Sequence, residues 1–197
     1  MSHRYFAQWA THDGLLRAEQ PTPAELAACS TQLSADYNEP HNSTMMANEQ
    51  LMSPQDVVDH WAGLEAQAAL PFLLYRDGEL MGDADLRHLD SGDAEFAIMV
   101  CARRAQGKGL GTRFAGMLHV LAFDELKLHH LFVAIIPSNA ASRRLFEKLG
   151  YQADDTPRAR RFAEDPTDLC MSVTRAPFES AWWSRSQDTK AITLGMR

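Results

Sequence analysis

The sequence is short of several things, and each shortage closes a class of explanation. It has three cysteines, Cys29, Cys101 and Cys170, widely spaced and without a CxxC pair. An odd, scattered set fits free thiols in a reducing compartment, not a disulfide frame or a zinc site, so no metal is expected. No uninterrupted apolar run approaches the length that crosses a bilayer, and the opening MSHRYFAQWATHDG lacks the apolar core of a signal peptide. Positive charge is in deficit: 19 Lys and Arg face 26 Asp and Glu, for a formal net charge of −7 and a pI near 5.6. That balance argues against a general nucleic-acid binder. Internal repeats and low-complexity tracts are also missing. These absences lead us to expect a soluble, cytoplasmic protein with neither nucleic acid nor membrane as partner.

What is present is an ordinary globular composition, 45% hydrophobic, 23% charged and 9% aromatic over 197 residues. This length gives one generous domain, expected over residues 1–175, with residues 176–197 as a C-terminal extension of unknown role. Leu15–Gln20 reads as a short strand. Thr22-Pro23-Ala24-Glu25 is a capping box with proline at the first helical position, predicting a helix to about Leu33. Residues 35–50 are polar and aperiodic and read as loop with at most a helical turn. Ser53-Pro54-Gln55-Asp56 opens a second helix with Val57, Val58, Trp61 and Leu64 along one face. The period then changes. Phe72–Tyr75, an Asp77-Gly78 turn and Glu79–Arg87 read as a hairpin, with Met81, Asp83, Asp85 and Arg87 alternating with Leu80, Gly82, Ala84 and Leu86.

The richest stretch is Ala94–Tyr151, which reads strand, glycine-rich turn, helix, strand, helix. The strand is Ala94–Cys101 and the turn is Gln106-Gly107-Lys108-Gly109-Leu110-Gly111-Thr112. A helix follows over about Thr112–Leu126, then a buried strand at Leu131–Ile136. A helix capped by Ser138 or Asn139 ends at Gly150. Closing strands are expected at Tyr151–Asp154 and Leu169–Thr174; the tail from Ala176, with Trp182-Trp183, shows no period. Glycines at a helix start let backbone amides approach an anion and add a partial positive charge, which suits phosphate. The spacing makes neither a Walker A loop nor a dinucleotide fingerprint.

The pattern Q-x-x-G-x-G/A at Gln106, Gly109 and Gly111, coupled to N-x-x-S-x-x-L-F-E-K-L-G-Y at Asn139–Tyr151, resembles the GNAT superfamily of acetyl-CoA-dependent N-acyltransferases. The similarity is greatest to the branch of ribosomal-protein N-terminal acetylases and spermidine acetyltransferases. It implies an α/β (α+β) fold with a mixed, mostly antiparallel sheet flanked by helices. It also implies acetyl-CoA as cosubstrate, an amine acceptor, direct attack without a covalent enzyme intermediate, and a possible homodimer.

Residue by residue, the resemblance puts the coenzyme pyrophosphate on the amides of Gln106, Gly107, Lys108, Gly109, Leu110, Gly111 and Thr112. The pantetheine arm then lies along Met99, Val100 and Cys101, where the strand would bulge away from its neighbour and free an oxyanion donor. Asn139 matches a pantetheine contact, or is a plain N-cap. Glu95, eleven residues before Gln106, matches the offset of a general base, or only bonds across the sheet. If the hairpin sets Asp85 opposite Glu95, two nearby carboxylates raise one pKa and improve the base. Phe146 stands where many relatives carry a tyrosine acid. Ser142, four residues earlier on the same helix face, is then the candidate donor to the leaving thiolate. His41, Glu39 and Asp36 fall where an acceptor wall is usual, or form a solvated loop. His129-His130 read as structural. Rival readings are another acyl donor such as succinyl-CoA, an aminoglycoside or protein N-terminus as acceptor, or an acyl-CoA-binding module without turnover.

Overall fold

The structure, a computed structural model, describes residues 4–46, 50–101, 103–183 and 192–197. It opens on an antiparallel pair, β1 (Tyr5–Thr11) and β2 (Gly14–Glu19), of which only β2 is expected from sequence. The missed strand turns just Ala7 and Trp9 inward, too short an alternation to stand out. Helix α1 (Pro23–Tyr37) starts on the full capping box of Thr22 and Glu25. A short helix α2 (Pro40–Met45) replaces the expected loop, its first amides capped by the Glu39 carboxylate. The second predicted helix is α3 (Pro54–Ala66), capped by Ser53 and Asp56, with Val57 and Trp61 buried.

Strands β3 (Leu70–Arg76) and β4 (Glu79–Asp90) turn at Asp77-Gly78, both with positive φ (52° and 82°), the geometry a two-residue hairpin demands. The second strand outruns the expected end at Arg87 because a bulge at His88 (φ 52°) absorbs one residue and pairing resumes at Asp90. Then come β5 (Asp93–Val100), a 3-10 turn at Arg103–Ala105, α4 (Leu110–Asp124), β6 (His130–Ile135) and α5 (Ala140–Lys148). The chain closes with β7 (Gln152–Ala153), a four-residue helix α6 (Pro157–Arg160), β8 (Leu169–Thr174), α7 (Arg175–Trp183) and β9 (Ile192–Met196).

The strands form one sheet in the order β7-β8-β6-β5-β4-β3-β2-β1-β9, antiparallel throughout except β5 with β6. Helix α4 lies in the main core, with Phe114, Met117, Leu118 and Leu121 fully buried. On the other face α1 and α3 cover a smaller cluster around Leu33, Trp61, Leu73 and Leu80. Each large apolar side chain so buried contributes roughly 1.5–3 kcal/mol. The segment after residue 175 is part of this packing: Trp182 is buried against Trp9 and Phe178, and β9 pairs with β1. Gly116 makes room for it, since a Cβ there would fall 2.2 Å from the Trp182 ring. The side chain of Trp183 lies outside the described residues. All three cysteines are free, and among the described residues no helix is long and apolar enough to cross a membrane.

Candidate active site

The site is made by a parting of strands. β5 pairs with β6 only from Asp93 to Glu95, against His130 to Phe132. Beyond that point the two strands diverge and a cleft opens between them. It has two chambers, of about 500 and 360 Å³, joined where Ile98, Met99, Asn139 and Ser142 line both. The Cys101 amide donates to the Met81 carbonyl at 2.8 Å, so backbone alternation turns Met99 toward β4 as well. It leaves the amides of Val100 and Ile98 facing the cleft. This corrects the expected trio Met99–Cys101 in two ways. Cys101 lines neither chamber; its carbonyl accepts from Asn42 at 3.2 Å, and burial pushes its thiol well above the usual range. The bulge lies in β4 around Met81–Gly82, where pairing with β3 slips by one residue. Along β5 the register with β4 is regular from Glu95 to Val100. A Cβ on Gly82 would sit 1.9 Å from the Met99 carbonyl oxygen, so only glycine lets the strands close here.

The smaller chamber ends on the glycine turn. Gly107 and Gly109 have φ of 73° and 79°, and Gly109 is the N-cap of α4 with no side-chain cap bond. A Cβ at either would meet open space, so these glycines answer to backbone conformation and not to crowding. The uncapped amides at the start of α4 form an anion cradle. Gln106 does more than precede it: its Nε2 donates to the Val100 carbonyl at 2.7 Å and to Asn42 Oδ1 at 3.0 Å. Asn42, 1% exposed, also donates to the Asp36 carbonyl at 2.9 Å. One buried amide thereby ties α1, α2, the end of β5 and the turn together. Lys108 is exposed and lines neither chamber, and the Leu110 side chain is buried in the core.

Helix α5 supplies the wall between the chambers. Asn139 caps it, accepting from the Ser142 amide at 3.0 Å, while its Nδ2 donates to the Met45 carbonyl at 3.3 Å. Ser142 and Phe146 both line the larger chamber. Phe146 is buried edge-on against Phe96, and 5.0 Å from Tyr151. The Tyr151 hydroxyl does not replace the missing acid. It is spent in the core on His119 Nε2 at 2.7 Å, while His119 Nδ1 lies 2.7 Å from the Ala115 carbonyl.

The larger chamber is walled by carboxylates. Asp83 and Asp85 project into it from β4, Glu95 from β5, and Glu164 and Asp168 from the loop before β8. The register corrects the expected pairing: Arg87 stands opposite Glu95, and Asp85 opposite Ala97. Arg87 Nε lies 3.3 Å from both Asp85 Oδ1 and Glu95 Oε2, close enough for ion pairing but too poorly aimed for a hydrogen bond to either. His88, swung round by its bulge, places Nδ1 2.9 Å from Glu95 Oε2 while staying half exposed. Burial raises the pKa of Glu95, with Arg87 and His88 opposing. Burial also lifts Asp85 to about 6, Arg87 opposing and Glu95 adding, and lifts Asp83 to about 7, the Asp85 charge adding and the Tyr37 hydroxyl opposing.

A strand-built cleft with an amide cradle at one end and carboxylates at the other invites comparison with known proteins. A model of the family described as Acetyltransferase (GNAT) domain matches residues 15–152. The chain belongs to this family. A curated relative, the probable N-acetyltransferase YjcK of Bacillus subtilis (strain 168), is 30% identical over 84 residues, which are 42% of this chain and 46% of that protein. The match therefore spans about half of that relative's length. Two solved structures share the fold. One is the aminoglycoside acetyltransferase AAC(6')-Ib in complex with coenzyme A, with TM-score 0.70, 22% identity, and coverage of 87% of this chain and 99% of that one. The other is Mycobacterium smegmatis RimJ in complex with CoA-disulfide, with TM-score 0.70, 21% identity and 95% of both chains covered.

Of the residues expected for a GNAT site, the cleft brings together Glu95, Met99, Val100, Gln106, Gly107, Gly109, Gly111, Thr112, Asn139, Ser142 and Phe146. From the expected acceptor wall, only His41 reaches the cleft, in the smaller chamber. Glu39 caps α2 and Asp36 lends its carbonyl to Asn42. Sequence reasoning missed Asn42, Tyr37, His60, His88, Glu164 and Asp168 as site residues. For Asp83 a signal existed in its alternation with Asp85 and Arg87; for the others only the fold supplies one.

Proposed function

We propose that the chain transfers an acetyl group from acetyl-CoA to a primary amine by direct attack. The observation that carries this reading is the single cleft that runs from the uncapped start of α4, between the parted strands, into a chamber of carboxylates. Its dimensions and chemistry suit a long thiol ester laid over the joint, with its phosphates on the glycine turn and its acyl end at Ser142. The amides of Val100 and Ile98 are the donors for the pantetheine arm and for the oxygen that becomes negative in the transition state.

The acceptor enters from the other side as an ammonium ion. With an ordinary amine pKa near 10, its deprotonation at pH 7 costs about three units, or roughly 4 kcal/mol. Glu95 takes that proton, with Asp85 beside it, and the half-exposed His88 at 2.9 Å offers an exit to solvent. The freed amine attacks the thioester carbonyl, a C–N bond forms, and the C–S bond breaks. The electron pair leaves on sulfur, where the Ser142 hydroxyl donates a hydrogen bond. The balance is ammonium plus thioester giving amide, thiol and one released proton. A thiol with pKa near 8.5 leaves without full protonation, which is how Phe146 is tolerated.

The test is calorimetric titration with acetyl-CoA, followed by an amine panel with thiol release as readout. Micromolar binding and amine-dependent thiol release are expected. Tight binding with no release across a broad panel would instead make the protein an acyl-CoA-binding module.

A further inference from the structure

The charged segment between β7 and β8 does more than close the sheet. Its short helix α6 and the residues after it are bound to the start of β5. Asp93, 3% exposed at the head of that strand, accepts from Arg158 at both carboxylate oxygens, with Nε 2.6 Å from Oδ2. Arg161 adds a third bond, its Nη2 lying 3.2 Å from Oδ2. Bidentate pairing of this kind adds directional precision as well as energy. The far end of the segment is tied down by Asp168, whose Oδ2 accepts from the amides of Glu164 and Asp165 at 3.2 and 3.0 Å.

What this anchoring fixes is Phe162. Its ring is buried, stacked on Phe132 at 5.0 Å, with the Arg161 guanidinium 4.6 Å over it. It also meets the imidazole of His88, 6.0 Å away and tilted by 34°. His88 sits on its bulge at φ 52° with a side chain 56% exposed. A side chain so exposed keeps its rotamer freedom unless something holds it. Among the described residues two groups do: the Phe162 ring, and the Glu95 carboxylate 2.9 Å from Nδ1. A residue kept in the left-handed region at a bulge beside a cleft invites a functional reading. Glycine or asparagine would serve the backbone there as well. Neither offers a ring to stack and a nitrogen to bond at once.

We propose that Phe162 is a positioning residue for the base. It seats the His88 imidazole so that Nδ1–H donates to Glu95 Oε2, and this sets the direction in which the carboxylate meets the acceptor. An ionised carboxylate only accepts hydrogen bonds, so the contact requires the proton on Nδ1. Asp93, through Arg158 and Arg161, keeps Phe162 in place. This rests on the acetyl-transfer reading for what Glu95 does, but the seating of His88 does not depend on turnover.

Two measurements on the full chain test it. Nitrogen NMR of histidine-labelled protein, above the ordinary titration range of imidazole, should show His88 protonated at Nδ1. In Phe162→Leu, which stays apolar but loses the ring, His88 should revert to the Nε2-protonated form that a free imidazole side chain prefers. The second measurement is kinetic. In Phe162→Leu and in His88→Gly, which suits the positive φ, kcat should fall about tenfold or more, the scale of a catalytic group displaced by a fraction of an ångström. KM for acetyl-CoA should stay within about twofold. The double variant should fall no further than His88→Gly alone. Should Phe162→Leu not fold, Arg161→Met takes its place: that side chain is 40% exposed, and losing its guanidinium loosens Phe162, with smaller changes of the same kind. A His88 ring protonated at Nε2 in the unaltered protein would overturn the proposal. So would losses that multiply in the double variant, or a Phe162→Leu chain that melts lower but turns over normally. If His88 shows the Nδ1 form and its reversion, yet no amine draws thiol release, the transfer reading alone fails.

Discussion

The two ends of the cleft are built in opposite ways. The smaller chamber is made from backbone: amides of Gly107–Thr112 at the start of α4 and of Val100 on β5, with Gly107 and Gly109 in conformations that glycine alone makes easy. The larger is made from side chains, carboxylates and one arginine drawn from β4, β5 and the loop before β8. A backbone cradle is specified within a few consecutive residues and binds one kind of ligand. A side-chain wall is assembled across the fold, its members coupled through Arg87, and in the proposed reaction it is the part that meets the acceptor. The difference predicts that variants at the two ends fail differently.

The largest expected effect is at the carboxylate end. Replacing Glu95 with Gln should lower kcat at neutral pH by 100-fold or more, the usual contribution of a positioned base, while leaving acetyl-CoA affinity within about twofold. The loss should narrow at high pH, where free amine no longer needs a base. Asp85→Asn tests the alternative base: if it costs more than Glu95→Gln, the roles are reversed. A pH–rate profile unchanged in both would remove the carboxylate row from the mechanism.

The next effect belongs to the cofactor end. Gly109→Val puts a β-branched residue at φ 79°, at a cost of about 1–2 kcal/mol or more. Acetyl-CoA affinity should drop about tenfold or more, with acceptor affinity unaltered. If both ligands weaken together, the two chambers are not independent.

That contrast also explains what was legible in the sequence. The glycine turn, both capping boxes, the Asp77-Gly78 hairpin and the Leu169–Thr174 strand are local signals, each set by a few neighbouring residues, and each is found where expected. Strands β1 and β9 depend on one another, pairing residues such as Ala7 and Leu194, and neither carries a pattern strong enough alone. Cys101 was misread because which way a strand's amides point depends on its pairing partner, here the Met81 carbonyl. The Asp85–Glu95 register failed for a similar reason. The strands run on to a tight turn at Ser91-Gly92, pairing Asp90 with Asp93, and one residue of bulge at His88 then sets Arg87 opposite Glu95; neither the turn's position nor the bulge can be counted from the sequence. Asp168 carries no local mark at all; only the loop that fixes its Oδ2 and strands its Oδ1 distinguishes it.

A smaller effect tests the link between the ends. Asn42 joins α2, the end of β5 and Gln106 through bonds of 3.2 and 3.0 Å. Removing its amide in Asn42→Ala leaves buried partners unsatisfied, at about 1–3 kcal/mol. The melting temperature should fall by several degrees, about 2–4 °C per kcal/mol for a chain of this size. The Michaelis constant for acetyl-CoA should rise severalfold, since Gln106 loses one of its anchors. An unchanged constant with a lowered melting temperature would make Asn42 a packing residue only.

The last effect is read on stability and not on rate, and its sign separates a functional carboxylate from a structural one. Asp83 titrates at about 7 in the folded chain against an ordinary 3.8, chiefly because burial disfavours its charge. A folded pKa above the unfolded one means the native state holds the proton more tightly, so this group supports folding at low pH. That support is lost as pH rises from about 4 through 7. Asp83→Asn, neutral at every pH, should therefore raise the melting temperature at pH 8, by about 2–4 °C for each kcal/mol recovered, and do little at pH 5. A structural carboxylate would show the reverse, with the asparagine variant less stable at pH 8. The expected pattern would mean that the chain tolerates an unfavourable charge in the acceptor wall, as functional sites do at the expense of stability. The glycine turn contains no carboxylate, and Gly109→Val should show no such dependence on pH.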